Sequence, residues 1–384
     1  MTMRTWQLSS GFAVSAWLTL AACSSESPTT NPGAAGMAGA AGSQAASGAA
    51  GQGSGGSAAG AAGQAAGGAA GTNAGAGGAA GGSAGSGGAG GASGGAGGAG
   101  GGGNGLPGAV RSAGCGMAAD QALMSYVKYS ETITGVTAKQ APRNFYVYLP
   151  EGYDPGRAYP LVFIGPGCGS DGQHGIQIQS ASGKDAIIVG LDPSTAVDPQ
   201  GRQCFDSQTF PDPEVPYFDQ TLAAVEAKYC IDKSRIFVEG FSSGSWLSHL
   251  LGCVDAGTIR AQGNASGCMQ GVPANTCTKP IAYMGIHNDP DPNNSYGCGT
   301  QARDEKIKRN GCSTQTMPYT PVGLKMPAGV TVDCVQYMGC KKGYPVVFCT
   351  TKNVNPQHNP ADDSTTALST AAMWSFWMNL EAPE

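Results

Sequence analysis

The chain has 384 residues, of which 12% are charged, and a formal net charge of −5 at pH 7. So mild an acidic balance excludes the basic surface that nucleic-acid binding requires, and no nucleic-acid partner is expected. Its 63 glycines crowd into the N-terminal part, so whole-chain composition conceals two unlike regions.

Residues 1–22 have the pattern of a targeting leader. Arg4 supplies a weakly positive start, and Gly11 to Leu20 is an apolar run too short to span a bilayer as a stable helix. It ends in Leu20-Ala21-Ala22-Cys23, which resembles a bacterial lipobox and implies cleavage before Cys23 and lipidation of that residue. An ordinary secretory signal is the competing expectation, since Ala-Ala also suits signal peptidase. Several acyl chains would anchor the protein firmly, at ~0.8 kcal/mol per buried methylene. Ser24 in the second mature position favours the outer membrane by analogy with sorting rules, so a cell-envelope or secreted location is expected.

From residue 23 to 108 the chain is almost entirely Gly, Ala and Ser. Such a segment buries too little apolar surface to offset the entropy of ordering, and it is expected to be a disordered tether. A Gly-rich coil of ~80 residues spans on the order of 50 Å. No fixed period of 20–50 residues is visible, which argues against a solenoid.

Residues 109–384 form the expected folded domain, ample for one large core. Setting Cys23 aside leaves twelve of the 13 cysteines there. An even count in an exported chain points to disulfides, up to six; no C-x-x-C pair favours zinc, and no metal is expected. Cys334 and Cys340 are close enough in sequence to be a local pair. Cys253, Cys268, Cys277 and Cys298 bracket a cysteine-rich insertion.

Asn144 to Pro150 alternates as a strand, and Pro160–Ile164 and Asp185–Leu191 are continuous apolar strands. Tyr217 to Tyr229 places Phe218, Leu222, Val225 and Tyr229 on one helical face. Ile236 to Val238 is a short buried strand, Gly240-Phe-Ser-Ser-Gly244 follows at once, and Ser245 to Leu251 starts a helix. That is G-x-S-x-G in strand–turn–helix context, which exposes the hydroxyl of Ser242 on a strained turn. The helix aims its positive N-terminal end at the same place. Pro280 to Ile286 and Tyr344 to Phe348 are later strands, and Ser364 is placed to cap a helix through Leu380. Strands alternating with helices predict an α/β fold: a mostly parallel sheet with helices on both faces, stabilised by disulfides.

A serine nucleophile on this fold takes its acid and then its histidine from later in the chain. Of the four histidines, His174 precedes Ser242, and His249 lies seven residues beyond it on the same helix, facing away. His287 closes a strand. His358 sits in a loop after a late strand, at the sheet edge where such a site collects its parts. The acid is expected in His287-Asn-Asp-Pro-Asp-Pro-Asn-Asn-Ser-Tyr296, where Asp289 and Asp291 compete.

Five stretches resemble the extracellular α/β-hydrolase esterases that group feruloyl esterases with polyhydroxybutyrate depolymerases. They are Tyr146 to Pro155, Tyr159 to Val162, Lys228 to Ile236, Gly240 to Gly244 and Asn310 to Cys312. The resemblance runs from about Asn144 to Leu380 and implies the α/β-hydrolase fold. The family's acid loop is similar to His-Gly-Thr-Ala-Asp with Tyr five residues on, which aligns its aspartate with Asp291. Two departures stand out: the family's His-Gly-Cys-Gly oxyanion sequence is Pro166-Gly167-Cys168-Gly169 here, and its Trp-Pro after the histidine is Asn359-Pro360.

The resemblance implies a serine carboxylic-ester hydrolase with Ser242 as nucleophile, His358 as base and Asp291 orienting it. Backbone N–H groups of Cys168 and Ser243 would form the oxyanion hole, with no cofactor. A feruloyl ester of plant cell wall polysaccharide is the first substrate expectation, then a polyhydroxyalkanoate polyester, then acetylxylan. A peptidase and a non-catalytic binding protein on the same scaffold are the rivals. Membrane contact is expected through the lipid anchor only.

Overall fold

The computed structural model describes residues 108–135, 142–173, 177–193, 196–206, 213–272, 276–324, 326, 328–353, 358 and 366–384. These belong to one compact unit, Gly94–Glu384. The leader at residues 1–22, Cys23, the tether through residue 107, His174, Asn359-Pro360 and the Ser364 cap lie outside the described residues.

Twelve strands and five helices follow in chain order among the described residues. The first half runs β1 (Tyr126–Glu131), β2 (Arg143–Tyr148), β3 (Tyr159–Gly165), α1 (Gln177–Ser182), β4 (Ile187–Leu191), β5 (Ala196–Val197), β6 (Gln203–Cys204) and α2 (Glu214–Lys228). The second half runs β7 (Ile231–Phe241), α3 (Ser243–Val254), β8 (Ala261–Ala265), β9 (Ala282–Asn288), α4 (Tyr296–Asn310), β10 (Thr316–Pro318), β11 (Thr331–Tyr337), β12 (Val346–Lys352) and α5 (Thr366–Met378).

Ten strands make one sheet in the order β1-β2-β4-β3-β7-β8-β9-β12-β11-β10, and β5 pairs with β6 as a separate ribbon. The central strands β4, β3, β7, β8, β9 and β12 are parallel. Strands at both edges are antiparallel. Parallel strands need helical crossovers that cover both faces, so most of their side chains are buried and apolar. Two large clusters result. One packs α2 and α3 through Tyr217, Phe218, Leu222, Leu247 and Leu251; the other packs α1 and α5 through Ile178, Met373, Phe376 and Trp377. This is the α/β-hydrolase fold, as expected, and no helix among the described residues is long and apolar enough to cross a membrane.

Every cysteine from Cys115 to Cys349 is paired: Cys115–Cys230, Cys168–Cys204, Cys253–Cys277, Cys268–Cys298, Cys312–Cys340 and Cys334–Cys349. The expected local pair of Cys334 with Cys340 is therefore wrong. Cys334 lies within β11 directly opposite Cys349 on β12, and both point into the core. Cys340 lies beyond the Met338-Gly339 turn and reaches Cys312, just past the end of α4.

Strand β8, Ala-Gln-Gly-Asn-Ala, carries no apolar signature yet is fully buried. Its amides bond to one another and to the elbow helix, with Gln262 Oε1 alone of their atoms lacking a partner among the described residues. Gln262 donates to Asn264 Oδ1 (2.7 Å), and Asn264 donates to Ser245 Oγ (3.0 Å). A buried polar strand is tolerated only when its groups find such partners.

Glu239 is the acid in the middle of the sheet. Thr370 of α5 donates to its Oε1 at 2.7 Å, and its Oε2 has no partner among the described residues. Burial pushes its carboxyl up from 4.5 to about 7, with the Thr370 bond opposing. A raised folded value means the group's stability contribution is complete below its unfolded value and is lost as pH rises through about 7. Glu239→Gln keeps an acceptor for Thr370 and cannot ionise. It is expected to leave the melting temperature nearly unchanged at pH 4 and to raise it at pH 8, where relief approaches about 3 kcal/mol. Equal shifts at both pH values in thermal denaturation would refute this.

Candidate active site

The elbow between β7 and α3 is built by close backbone approach. A Cβ on Gly240 would overlap the carbonyl of Gly244, and one on Gly244 would overlap the carbonyl of Gly165 on β3. Glycine is thus required at both positions for β3, β7 and α3 to meet. Ser242, between them, has φ 53° and ψ −116°, outside the usual regions for a residue with a side chain. That strain lifts its hydroxyl out of the turn, and the residue remains 9% exposed.

His358 comes to Ser242 from across the sheet. Its Nε2 lies 2.9 Å from Ser242 Oγ, and its Nδ1 lies 2.9 Å and 3.0 Å from the two carboxylate oxygens of Asp291. A carboxylate only accepts, so Nδ1 carries the proton and Nε2 is left to accept from the serine. The Phe241 ring packs beside the imidazole, centroids 5.3 Å apart. Of the two competing aspartates, Asp291 meets the histidine; Asp289 uses its backbone N–H on Thr351 at the end of β12 (2.8 Å).

Asp291 is buried. Burial alone would raise its carboxyl, but hydrogen bonds from His358 and from the backbone N–H groups of Asn294 and Asn293 outweigh it. They hold the group below the ordinary carboxylate value. It therefore stays ionised across the range where histidines titrate.

The remaining described histidines are structural. His287 is buried at the end of β9; its Nε2 lies 2.8 Å from the Asn294 carbonyl and 3.5 Å from Asp291 Oδ2. Burial lowers its value, so the imidazole stays neutral beside the acid. His249 is wholly buried in α3, with Nδ1 3.3 Å from Gln262 Nε2 and 3.4 Å from Lys306 Nζ. Burial depresses both partners, Lys306 down to about 8. His249 faces away from the serine, as its position on the helix predicts.

Asn294 escaped the sequence reading. Its N–H binds Asp291, its Nδ2 donates to the Ser266 carbonyl (2.8 Å), and its Oδ1 accepts from Trp246 Nε1 (3.1 Å). One buried amide thus ties the acid loop to β8 and to the elbow helix. Nothing local marks it, because asparagine in an Asp/Pro/Asn cluster reads as turn chemistry.

Of the two expected oxyanion residues, Ser243 directly follows the serine and Cys168 lies on the loop after β3. Ser243 opens α3, where first-turn N–H groups have no intrahelical partner by position. The loop Pro166–Gly169 leaves β3 alongside: a Cβ at Gly167 would lie 3.4 Å from Ser242 Cβ, and Ser243 Oγ contacts the Pro166 carbonyl at 3.4 Å. This array suits acyl transfer, with a hydroxyl, an imidazole and an orienting carboxylate at one point. A scaffold that had abandoned catalysis would have no need to keep a 2.9 Å contact between residues 116 positions apart.

No family model matches the chain. It is 28% identical over 270 residues to feruloyl esterase D of Neurospora crassa, covering 66% of this chain and 84% of that protein. It is 30% identical over 213 residues to probable feruloyl esterase C of Aspergillus terreus, covering 53% and 71%. With feruloyl esterase C of Emericella nidulans it shares 28% over 258 residues, covering 64% and 88%. The chain belongs to the feruloyl esterase family and is a carboxylic ester hydrolase.

Proposed function

We propose that the protein is an exported, lipid-anchored serine esterase that releases hydroxycinnamic acids such as ferulate from plant cell wall polysaccharide. The observation that carries the catalytic part is the continuous chain Ser242 Oγ–His358 Nε2, His358 Nδ1–Asp291, with contacts of 2.9 Å at both ends. His358 removes the Ser242 proton as the oxygen attacks the ester carbonyl. The negative charge on the carbonyl oxygen is held by the N–H groups of Cys168 and Ser243. Ionised Asp291 fixes the imidazole tautomer and stabilises its protonated form. His358 then delivers its proton to the departing alcohol, leaving an acyl-enzyme on Ser242. Water, deprotonated by the same histidine, frees the acid.

The names of the relatives support the acyl group; the Leu20-Ala-Ala-Cys23 sequence supports export and anchoring. Residues 23–108 would then serve as the tether that lets residues 109–384 reach an insoluble substrate.

Release of ferulate from methyl ferulate by the purified protein, followed by ultraviolet absorbance, tests the assignment. Hydrolysis at a kcat on the order of 1–10³ s⁻¹ is expected. Turnover of p-nitrophenyl acetate with none of methyl ferulate would replace the feruloyl assignment with an acetyl-ester one.

A further inference from the structure

We infer that the Cys168–Cys204 disulfide, with the β5–β6 ribbon that carries Cys204, is a positioning clamp that sets the oxyanion N–H of Cys168. This rests on the assignment of that N–H to the oxyanion hole.

The loop after β3 has few holds of its own. Pro166 lacks an N–H, and its carbonyl meets Ser243 Oγ at a long 3.4 Å. Within the loop, the Ser170 N–H turns back to the Gly167 carbonyl at 3.2 Å. Further along, the Gly172 N–H donates to Asp192 Oδ1 at 2.7 Å, but the attachments at Cys168 and Gly169 lead to one place. Cys168 is bonded to Cys204, and the Gly169 N–H donates to the Gln203 carbonyl at 2.8 Å. The Arg202 side chain lies over Gly169, its carbons 3.1–3.3 Å from where a Cβ would stand. Three consecutive ribbon residues thus grip two consecutive loop residues.

The ribbon is itself held. Asp198 closes its turn by accepting from the Gln200 and Arg202 N–H groups and pairing with Arg202 Nε at 2.6 Å. Phe205, next after Cys204, is buried in the core against Gly165. The Asp206 N–H donates to Glu214 Oε1, whose other oxygen pairs with Arg143 at 2.9 Å in a wholly buried bridge. An unbroken line of covalent, hydrogen-bonded and packed contacts therefore runs from Arg143 on β2 to Cys168. Oxyanion donors act only when held within about 0.5 Å of their productive positions, roughly 2.7–3.1 Å from the developing charge, which is the reason to clamp a loop of this kind. Cys168, Asp198 and Cys204 also approach as metal ligands would, but both sulfurs are committed to the disulfide and offer no thiolate.

The clamp and the remote Cys312–Cys340 bridge span 36 and 28 residues. On the chain-entropy account their removal costs the fold similarly, so the second is a control for the first. The full protein, Cys168→Ala/Cys204→Ala and Cys312→Ala/Cys340→Ala are compared on methyl ferulate, with melting temperatures. Alanine keeps the Cys168 N–H but frees the loop. The clamp variant is expected to lose about 10- to 100-fold in kcat, part of the 10²- to 10³-fold lost with a whole donor. KM should stay within about threefold, and fluorophosphonate labelling of Ser242 should slow in step, because that adduct also places an oxygen in the hole. The control should keep its kcat within about twofold despite a similar fall in melting temperature.

A folded clamp variant with undiminished kcat overturns the inference, as does an equal kcat loss in both variants. If the alanine pair fails to fold, Cys168→Ala/Cys204→Val fills the lost sulfur volume and is measured instead. Failure of that variant too, beside a folded control, would make the bridge a requirement of folding only. Full activity in Ser242→Ala would instead sink the active-site reading itself, and the two failures are thereby distinct.

Discussion

Replacing Ser242 with alanine is expected to lower kcat for methyl ferulate by about 10⁶-fold while the protein stays folded. The substitution removes only the hydroxyl oxygen, and with it the atom that would form the proposed acyl-enzyme. Alanine at φ 53° bears the same backbone strain as serine, and the hydroxyl's hydrogen bond goes to His358 rather than into the core. Stability should therefore move little. Residual turnover would come from N–H groups that polarise a bound ester for attack by water. Steady-state kinetics with matched circular dichroism spectra check the expectation; a folded variant within tenfold of the parent would exclude Ser242 as nucleophile.

Asp291→Asn is expected to cost about 10⁴-fold in kcat at neutral pH, whereas Asp289→Asn should stay within a few-fold of the parent. An amide at 291 can donate to His358 Nδ1 and so favours the wrong tautomer, with the proton on Nε2 facing the serine. It also removes the charge that stabilises the imidazolium. The asparagine nitrogen would in addition confront the backbone N–H groups of Asn293 and Asn294, which now donate to Asp291 Oδ1. Some loss of stability should accompany the loss of rate. Because the Asp291 carboxyl is held below its ordinary value, its ionised form stabilises the fold above the unfolded value near pH 4. That contribution disappears as pH falls through the lowered folded value. The melting-temperature difference between parent and Asp291→Asn should accordingly shrink in acid. Activity lost at 289 but kept at 291 would reverse the assignment.

Much of this site is legible because its serine is prepared locally. Strand β7, the two glycines and helix α3 occupy consecutive residues, so apolar period and steric need write themselves into one short stretch. His358 could be singled out for a different reason, the scarcity of histidines. The boundaries were less legible. Strand β7 extends from Ile231 to Phe241, well beyond its apolar core of Ile236 to Val238: Ile231 pairs with Tyr159 of β3 ahead of a register break, and the N-terminal segment supplies a bridge from Arg111 to Asp232 and a hydrogen bond from the Lys233 N–H to the Val110 carbonyl. Helix α4 (Tyr296–Asn310) has only a weak apolar face, and its polar surface hid it. It is fixed by a Ser295 cap, which accepts from the Cys298 N–H, and by Gly311 in the left-handed conformation at its end.

The sequence by itself determined the α/β alternation and the elbow, which depend on neighbours within a turn or two, and the order of serine, acid and histidine, which follows from the chain order of the fold. Local chemistry left Asp289 and Asp291 open until the family resemblance pointed to Asp291, and tertiary structure brings that residue to His358 across 67 residues; which cysteines pair was decided by tertiary structure alone. It also decided that Asn294 braces the acid loop and that an amide-rich strand, β8, can run through the core. Those outcomes depend on where the sheet brings distant residues together. A buried polar group is stable only opposite its partner, and a disulfide forms only where two Cβ atoms face each other; neither condition leaves a local trace in the chain.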